Sequence, residues 1–137
     1  MMTPQRYYAT QSPMTDPKSF AHLYDLIPND PQSIAKILQG LIVHYLGTRI
    51  FDFTLTAEQR KDMNLRSVGQ ILGRIHELDS APLTVQREPK ARVVGNCRDF
   101  AVLFVSICRH FGVPARLRVG FASYIFDNGF NADHWVP

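Results

Sequence analysis

The segment that most constrains the fold of this chain is an apolar run at residues 100–111, Phe-Ala-Val-Leu-Phe-Val-Ser-Ile-Cys-Arg-His-Phe. Asn96 is a good N-cap residue and Asp99 is a favourable acid at the third helical position. A helix is therefore predicted to begin with Cys97 in its first turn. Because the run is apolar almost all round, we expect this helix to lie buried at the centre of a domain.

Length and composition indicate one globular domain. A chain of 137 residues is about one domain, and its apolar content of 45% is ordinary for a soluble protein. The 15 Lys and Arg residues are scattered and the net charge is only +3, so we expect no nucleic-acid partner. No stretch approaches the ~20 apolar residues of a membrane span, so we expect no membrane partner either.

The start of the chain and the two cysteines favour a cytoplasmic location. The first residues lack the apolar core of a signal peptide, so secretion is not predicted. If Cys97 and Cys108 share one helix, they stand about 16 Å apart along its axis, too far for a disulfide. Free thiols fit a reducing cytoplasm.

The rest of the chain is predicted to add helices in front of the central one. Residues 1–20 are interpreted as an extended or flexible lead-in, and residues 21–137 as a single domain. A helix is predicted over about residues 31–46, with Asn29 or Asp30 as its cap. The capping box Thr56-Ala57-Glu58-Gln59 predicts a short helix. Regular apolar spacing predicts a further helix over residues 65–78.

A β-hairpin is predicted after the central helix. One strand alternates between apolar and polar positions, and its apolar positions are Leu117, Val119 and Phe121. Asn128-Gly129 is typical of a two-residue hairpin turn. With that turn, Ser123 lies opposite His134, so His134 joins the apolar face and points toward Cys97. A longer turn would change which residues lie opposite each other, and with that the face on which His134 lies. The prediction therefore depends on the two-residue turn.

Cys97 and His134 are the candidate catalytic residues. The thiolate is the nucleophilic form of cysteine, and the partial positive charge at a helix N-terminus favours it. A nearby imidazole favours the thiolate further and can return a proton to the leaving group. The alternatives are that Cys97 is a small buried hydrophobic residue and that His134 is a hydrogen-bonded core or edge histidine. The Cys97 backbone N–H could stabilise an oxyanion, given a second donor that the sequence does not identify.

The same residues carry a family resemblance. The motifs are Gly95-Asn96-Cys97-Arg98-Asp99-Phe100-Ala101, Gly112-Val113-Pro114-Ala115-Arg116, Gly120-Phe121 and His134-Trp135-Val136. Their order and spacing resemble the core of a bacterial transglutaminase-like protein over residues 92–137, with a looser likeness from about residue 20. The resemblance implies an α+β, papain-like fold, with N-terminal helices and a central buried helix packed on a small antiparallel sheet. It also implies acyl transfer from amides through a cysteine thioester.

One departure from the family concerns the third catalytic residue. The family has an Asp on the strand after the histidine, whereas only Trp135, Val136 and Pro137 follow His134. Asp133 is no substitute, because neighbouring strand residues point to opposite faces. We therefore expect a domain that is incomplete at its C-terminus, or one whose missing strand a partner supplies. A two-stranded sheet leaves an open edge, which offers a route to self-association.

The first functional hypothesis is a transglutaminase-like cysteine acyltransferase or hydrolase acting on a protein, peptide or small amide. Asn96 and Trp135 are further candidates for substrate binding or oxyanion stabilisation. The chemistry needs no cofactor, and a metal site at Cys97 and His134 would lack a third ligand. The alternative is a catalytically silent domain that serves as an interaction module or is a fragment.

The remaining chemistry-bearing residues are assigned structural roles. Cys108 lies mid-helix and is predicted to belong to the core. Asp99 is predicted to stabilise the helix start. Four histidines show no metal-ligand or catalytic spacing and are interpreted as structural or surface residues: His22, His44, His76 and His110. Arg116 and Arg118 are predicted to face solvent or a missing segment.

Overall fold

The computed structural model describes all 137 residues and contains five α-helices and four short strands. The helices are α1 (Pro4–Tyr8), α2 (Pro31–Gln39), α3 (Ala57–Lys61), α4 (Val68–Leu78) and α5 (Cys97–His110). The strands are β1 (Ile42–His44), β2 (Val93–Gly95), β3 (Arg118–Ala122) and β4 (Ala132–Val136). The strands form two separate pairs, β1 with β2 and β3 with β4. This mixture of helices and small sheets is compatible with the predicted α+β class.

Helix α5 is the buried centre of the molecule, as its apolar sequence predicts. Asn96 caps it, and the side chain of Asp99 completes the capping box. The helix packs against α2, α4, β2 and β4. It ends before Gly112, whose φ of +74° lies in the left-handed region that glycine adopts without strain. Its apolar residues therefore meet neighbours on several sides rather than one.

Strand β1 corrects the predicted extent of the second helix. The helix predicted to reach residue 46 ends at Gln39, with Gly40 as its C-cap. Ile42–His44 instead pairs in parallel with Val93–Gly95. Ile42 and Val43 are buried in this strand, as they would be on the apolar face of a helix. Their apolar character alone therefore did not distinguish a buried strand from a helix.

A buried carboxylate holds β2 in place. Asp62 accepts a hydrogen bond from the Arg74 guanidinium at 2.8 Å and another from the Val94 N–H at 3.3 Å. Asp62 is buried, and Arg74 reaches it from α4. Because a buried carboxylate needs such partners, this pair ties α4 to the strand that leads into α5.

The N-terminal segment is attached to the body. Residues 1–20, expected to be an extended or flexible lead-in, contain helix α1. Tyr8 O accepts a hydrogen bond from Ala115 N–H at 3.0 Å, and Thr10 O accepts one from Arg109 at 3.0 Å. Gln11 donates to Ser106 O of α5 at 2.9 Å. These bonds give the segment defined contacts with α5 and with the loop that follows it.

The hairpin forms, but its register differs from the prediction. Gly120, not Ser123, lies opposite His134, and residues 123–131 connect the strands in place of a two-residue turn. His134 therefore does not share the face of Val119 and Phe121. Those two side chains are 55% and 83% exposed, so the predicted burial of that apolar face is wrong. The longer connection shifted the pairing of the two strands by an odd number of positions. This shift placed His134 on the face opposite to the predicted one.

The two shorter helical predictions hold. Helix α3 begins at the predicted capping box, where Thr56 and Gln59 bond each other's backbone N–H groups. Helix α4 carries the predicted apolar stripe and has a second capping box, formed by Ser67 and Gln70, which the sequence analysis did not identify. None of the helices combines the length and the apolar character that a membrane crossing requires.

Candidate functional site

Cys97 stands at the entrance of the central helix. It is the first residue of α5 and follows the N-cap residue Asn96. The side chain of Cys97 is half-buried and forms no disulfide. Strand β2 ends two residues earlier, at Gly95, so the position of Cys97 is set by the parallel pair β1–β2 that leads into the helix. The thiol therefore lies where the unpaired N–H groups of the helix start concentrate positive potential.

The side chain of Asp99 stabilises the first turn of α5. Its Oδ2 accepts a hydrogen bond from the Asn96 N–H at 2.9 Å, and its Oδ1 pairs with Arg98 at 2.7 Å. Arg98 also donates to the backbone oxygens of Leu65 and Arg66. Asp99 is only 4% exposed, and this burial raises the pKa of its carboxyl, opposed by the Asn96 hydrogen bond and the Arg98 charge. These contacts hold the helix start, which is the role predicted for Asp99.

Cys97 and His134 border the same two cavities. We call the first the apolar cavity. It has a volume of about 360 Å³, and its wall is mainly apolar, with Leu38, Phe100 and Phe104 among its residues. The second is the polar cavity, of about 570 Å³, which Arg66, Asn96 and Arg98 help to line. His134 is half-buried in β4, and β4 packs against α5. The fold thus brings the two predicted catalytic residues to one place.

His44 is the residue of this site that the sequence analysis missed. Its spacing predicts a structural or surface residue, yet it borders both the apolar and the polar cavity together with Cys97 and His134. Its ring stacks on Tyr45 with 4.8 Å between centroids, and its Nδ1 accepts a hydrogen bond from the Leu46 N–H at 3.1 Å. No spacing along the chain could have identified it, because His44 comes to these cavities only through the pairing of β1 with β2.

Burial shapes the protonation of His44. Desolvation lowers the pKa of its imidazole, the charge of Asp99 raises it, and repulsion from the His134 ring, when that ring is protonated, lowers it further. The neutral ring is therefore favoured relative to an exposed histidine.

The other predicted site residues take different positions. Trp135 borders both cavities. Asn96 borders the polar cavity, but its Oδ1 already accepts the Arg98 N–H at 2.9 Å, so it acts first as the helix cap. Asp133 is exposed and borders only the polar cavity. His134 forms no hydrogen bond with any carboxylate of the chain, and the Tyr124 ring lies edge-on to it, at 6.4 Å between ring centroids.

The remaining cysteine and histidines lie outside the site. Cys108 is 5% exposed in the core, and burial raises the pKa of its thiol. His22 contacts the backbone of Ser19, His76 faces Phe20, and His110 stacks edge-on with Tyr24. None of them borders either cavity.

Comparison with known proteins supports the sequence resemblance. The model of the transglutaminase-like superfamily matches residues 74–136, a span that includes both Cys97 and His134. The resemblance recognised from the motifs is thereby confirmed over this span. The searches of curated proteins and of solved structures each gave no significant match.

Proposed function

We propose that this chain, whose residues 74–136 match the transglutaminase-like superfamily, is a cysteine acyltransferase or hydrolase. It acts on an amide or peptide bond through a thioester on Cys97. The observation that carries the proposal is that Cys97, at the start of a buried helix, and His134, on the neighbouring hairpin, border the same two cavities. The papain-like arrangement of helix and sheet is part of this proposal and rests on the superfamily match.

The geometry supports a two-stage reaction. His134 takes the thiol proton, and the Cys97 thiolate attacks the amide carbonyl to form a tetrahedral oxyanion. The backbone N–H of Cys97 donates to that oxygen. When the C–N bond breaks, the imidazolium of His134 returns the proton to the leaving amine, and a thioester remains on Cys97. An amine or water then attacks the thioester with the help of His134, which releases the product and restores the thiol.

The site accepts two kinds of substrate group. The apolar cavity can hold an apolar part of the substrate against Phe100 and Phe104. The polar cavity, bordered by Arg66 and Arg98, can hold a polar or acidic part. A protein, a peptide or a small amide fits this division, and the reaction needs no cofactor.

A second candidate is a catalytically silent interaction module. The observation that favours it is the lack of any carboxylate hydrogen-bonded to His134. In a serine triad, loss of the orienting carboxylate lowers the rate about 10⁴-fold, because the imidazole adopts the wrong tautomer. A silent domain would keep the same fold with an inert thiol.

The pH dependence of Cys97 alkylation separates the two candidates. The rate of carbamidomethylation by iodoacetamide would be followed at residue level by mass spectrometry, with Cys97→Ser as control. For the enzyme, we expect Cys97 to be alkylated rapidly already near neutral pH and this reactivity to be lost in His134→Ala. Slow alkylation that does not respond to His134→Ala would support the silent domain instead.

A further inference from the structure

We propose that His44 is a catalytic residue of this site and donates its Nε2–H to the oxyanion, beside the backbone N–H of Cys97. This inference rests on the proposed function, since an oxyanion forms only if Cys97 attacks a carbonyl. It assigns the second donor that the oxyanion needs and that the sequence alone did not reveal.

The first argument is position. His44 and Gly95 are partners in the parallel pair β1–β2, and Gly95 O accepts a hydrogen bond from the Tyr45 N–H at 2.9 Å. Residues paired across strands place their side chains on the same side of the sheet. On that side of Gly95 lies Asp99, in the first turn of α5. The His44 ring is therefore directed toward the helix start that carries Cys97, and it borders both cavities there.

The second argument is the tautomer. Because the Leu46 N–H donates to Nδ1, the lone pair of Nδ1 is in use and the proton of the neutral ring lies on Nε2. Nε2 forms no hydrogen bond with a protein acceptor, and this nitrogen is not fully buried. The ring thus presents one free N–H to the cavity and has no free lone pair with which to act as a base. The Leu46 bond makes His44 a donor and leaves the proton transfer to His134.

The third argument is charge. The charged and titratable groups around His44 are Asp99 behind Gly95, Tyr45 stacked on the ring, Cys97 and His134 on both cavities, and Arg66, Arg98 and Asp133 on the polar cavity. Burial lowers the pKa of His44 against the opposing charge of Asp99, and repulsion from a protonated His134 lowers it further. A neutral donor can remain beside the imidazolium that His134 becomes during the reaction, whereas a second cation would oppose its formation. A fixed neutral donor is also the kind of group that stabilises oxyanions without reorganisation.

Two reactions of the same thiol test this role. Acetylation of Cys97 by p-nitrophenyl acetate passes through a tetrahedral oxyanion, whereas alkylation by iodoacetamide is a direct displacement at carbon and forms none. Both rates would be measured for the wild type, His44→Asn and His44→Gln, with residue-level mass spectrometry and Cys97→Ser as the blank. In His44→Asn, the side-chain oxygen can still accept the Leu46 N–H, but no donor reaches the Nε2 position. In His44→Gln, the amide nitrogen can occupy that position.

We expect His44→Asn to slow acetylation about 100-fold, the usual effect of removing one oxyanion donor, and to leave alkylation within about 3-fold of the wild type. His44→Gln should recover a large part of the acetylation rate. Equal acetylation in the wild type and His44→Asn would overturn the inference. So would equal losses in both reactions, which would show that His44 acts on the thiolate. A Trp135→Phe variant that alone loses acetylation would assign the donor to Trp135 instead. A wild type that neither releases p-nitrophenol in excess of Cys97→Ser nor gives acetyl-Cys97 would refute the proposed function itself, and the role of His44 with it.

Discussion

The carboxylate of Asp99 lies against the Cα of Gly95, so that a side chain at Gly95 has no room. A Cβ built on Gly95 would stand 2.8 Å from Asp99 Oδ2 and 3.0 Å from Asp99 Cβ. Asp99 cannot move aside freely, because it is buried and bonded to Asn96 and Arg98. The end of β2 and the first turn of α5 therefore pack at a distance that only glycine allows.

From this contact we expect Gly95→Ala to lower the free energy of unfolding by about 1–3 kcal/mol, the usual cost of overpacking a well-packed site. Urea denaturation followed by circular dichroism measures the change. Gly120→Ala is the matched control, because a Cβ there has no neighbour within 4 Å. Equal effects of the two substitutions would show that the contact with Asp99 is not limiting.

The cap of the central helix gives a second prediction. Asn96→Ala removes the side-chain oxygen that accepts the Arg98 N–H and should lower the free energy of unfolding by about 1 kcal/mol. Asn96→Ser should recover most of this loss, since serine is also a good N-cap residue. Asn131→Ala, in the exposed hairpin connection, serves as the neutral control. If Asn96→Ser were as destabilising as Asn96→Ala, capping would not explain the role of Asn96.

The two thiols are expected to react very differently. Cys97 is half-buried beside two cavities, whereas Cys108 is 5% exposed and burial raises the pKa of its thiol. Under native conditions near neutral pH, brief treatment with iodoacetamide should modify Cys97 and spare Cys108, because the protonated thiol is a poor nucleophile. In denaturant both should react. Peptide mapping makes the comparison, and modification of Cys108 first in the native protein would contradict it.

His44 should make stability depend on pH. Its pKa is lowered on folding, mainly by burial, so below the ordinary value of 6.5 the unfolded chain binds the proton more readily than the folded protein. The free energy of unfolding should therefore fall as pH falls below 6.5, with a slope from this residue of at most about 1.4 kcal/mol per pH unit. Other groups also titrate, so the measurement compares denaturation curves of the wild type and His44→Gln. Curves that run parallel across this range would rule out the shift.

Local sequence determined the elements whose signals lie within a few neighbouring residues. The start of α5 was predictable because Asn96 and Asp99 bond to backbone groups only two to three positions away. Its burial was predictable because no face of the helix is polar enough to meet water. Cys97 could therefore be placed at a helix start, and the motifs around it identified a superfamily that the comparison confirmed over residues 74–136.

The contents of the site were decided by contacts between distant parts of the chain. The segment Ile42–His44 became a strand rather than helix because Val93–Gly95 offered backbone partners, and that pairing brought His44 to the site. The register of the hairpin depended on how residues 123–131 connect its strands, and this placed His134 opposite Gly120. Hydrogen bonds between strands carry no side-chain signature, and a shift by an odd number of positions reverses every face. For this reason the sequence alone could predict Cys97 and His134 as candidate nucleophile and base, but only the tertiary structure could show that His44 borders the same cavities.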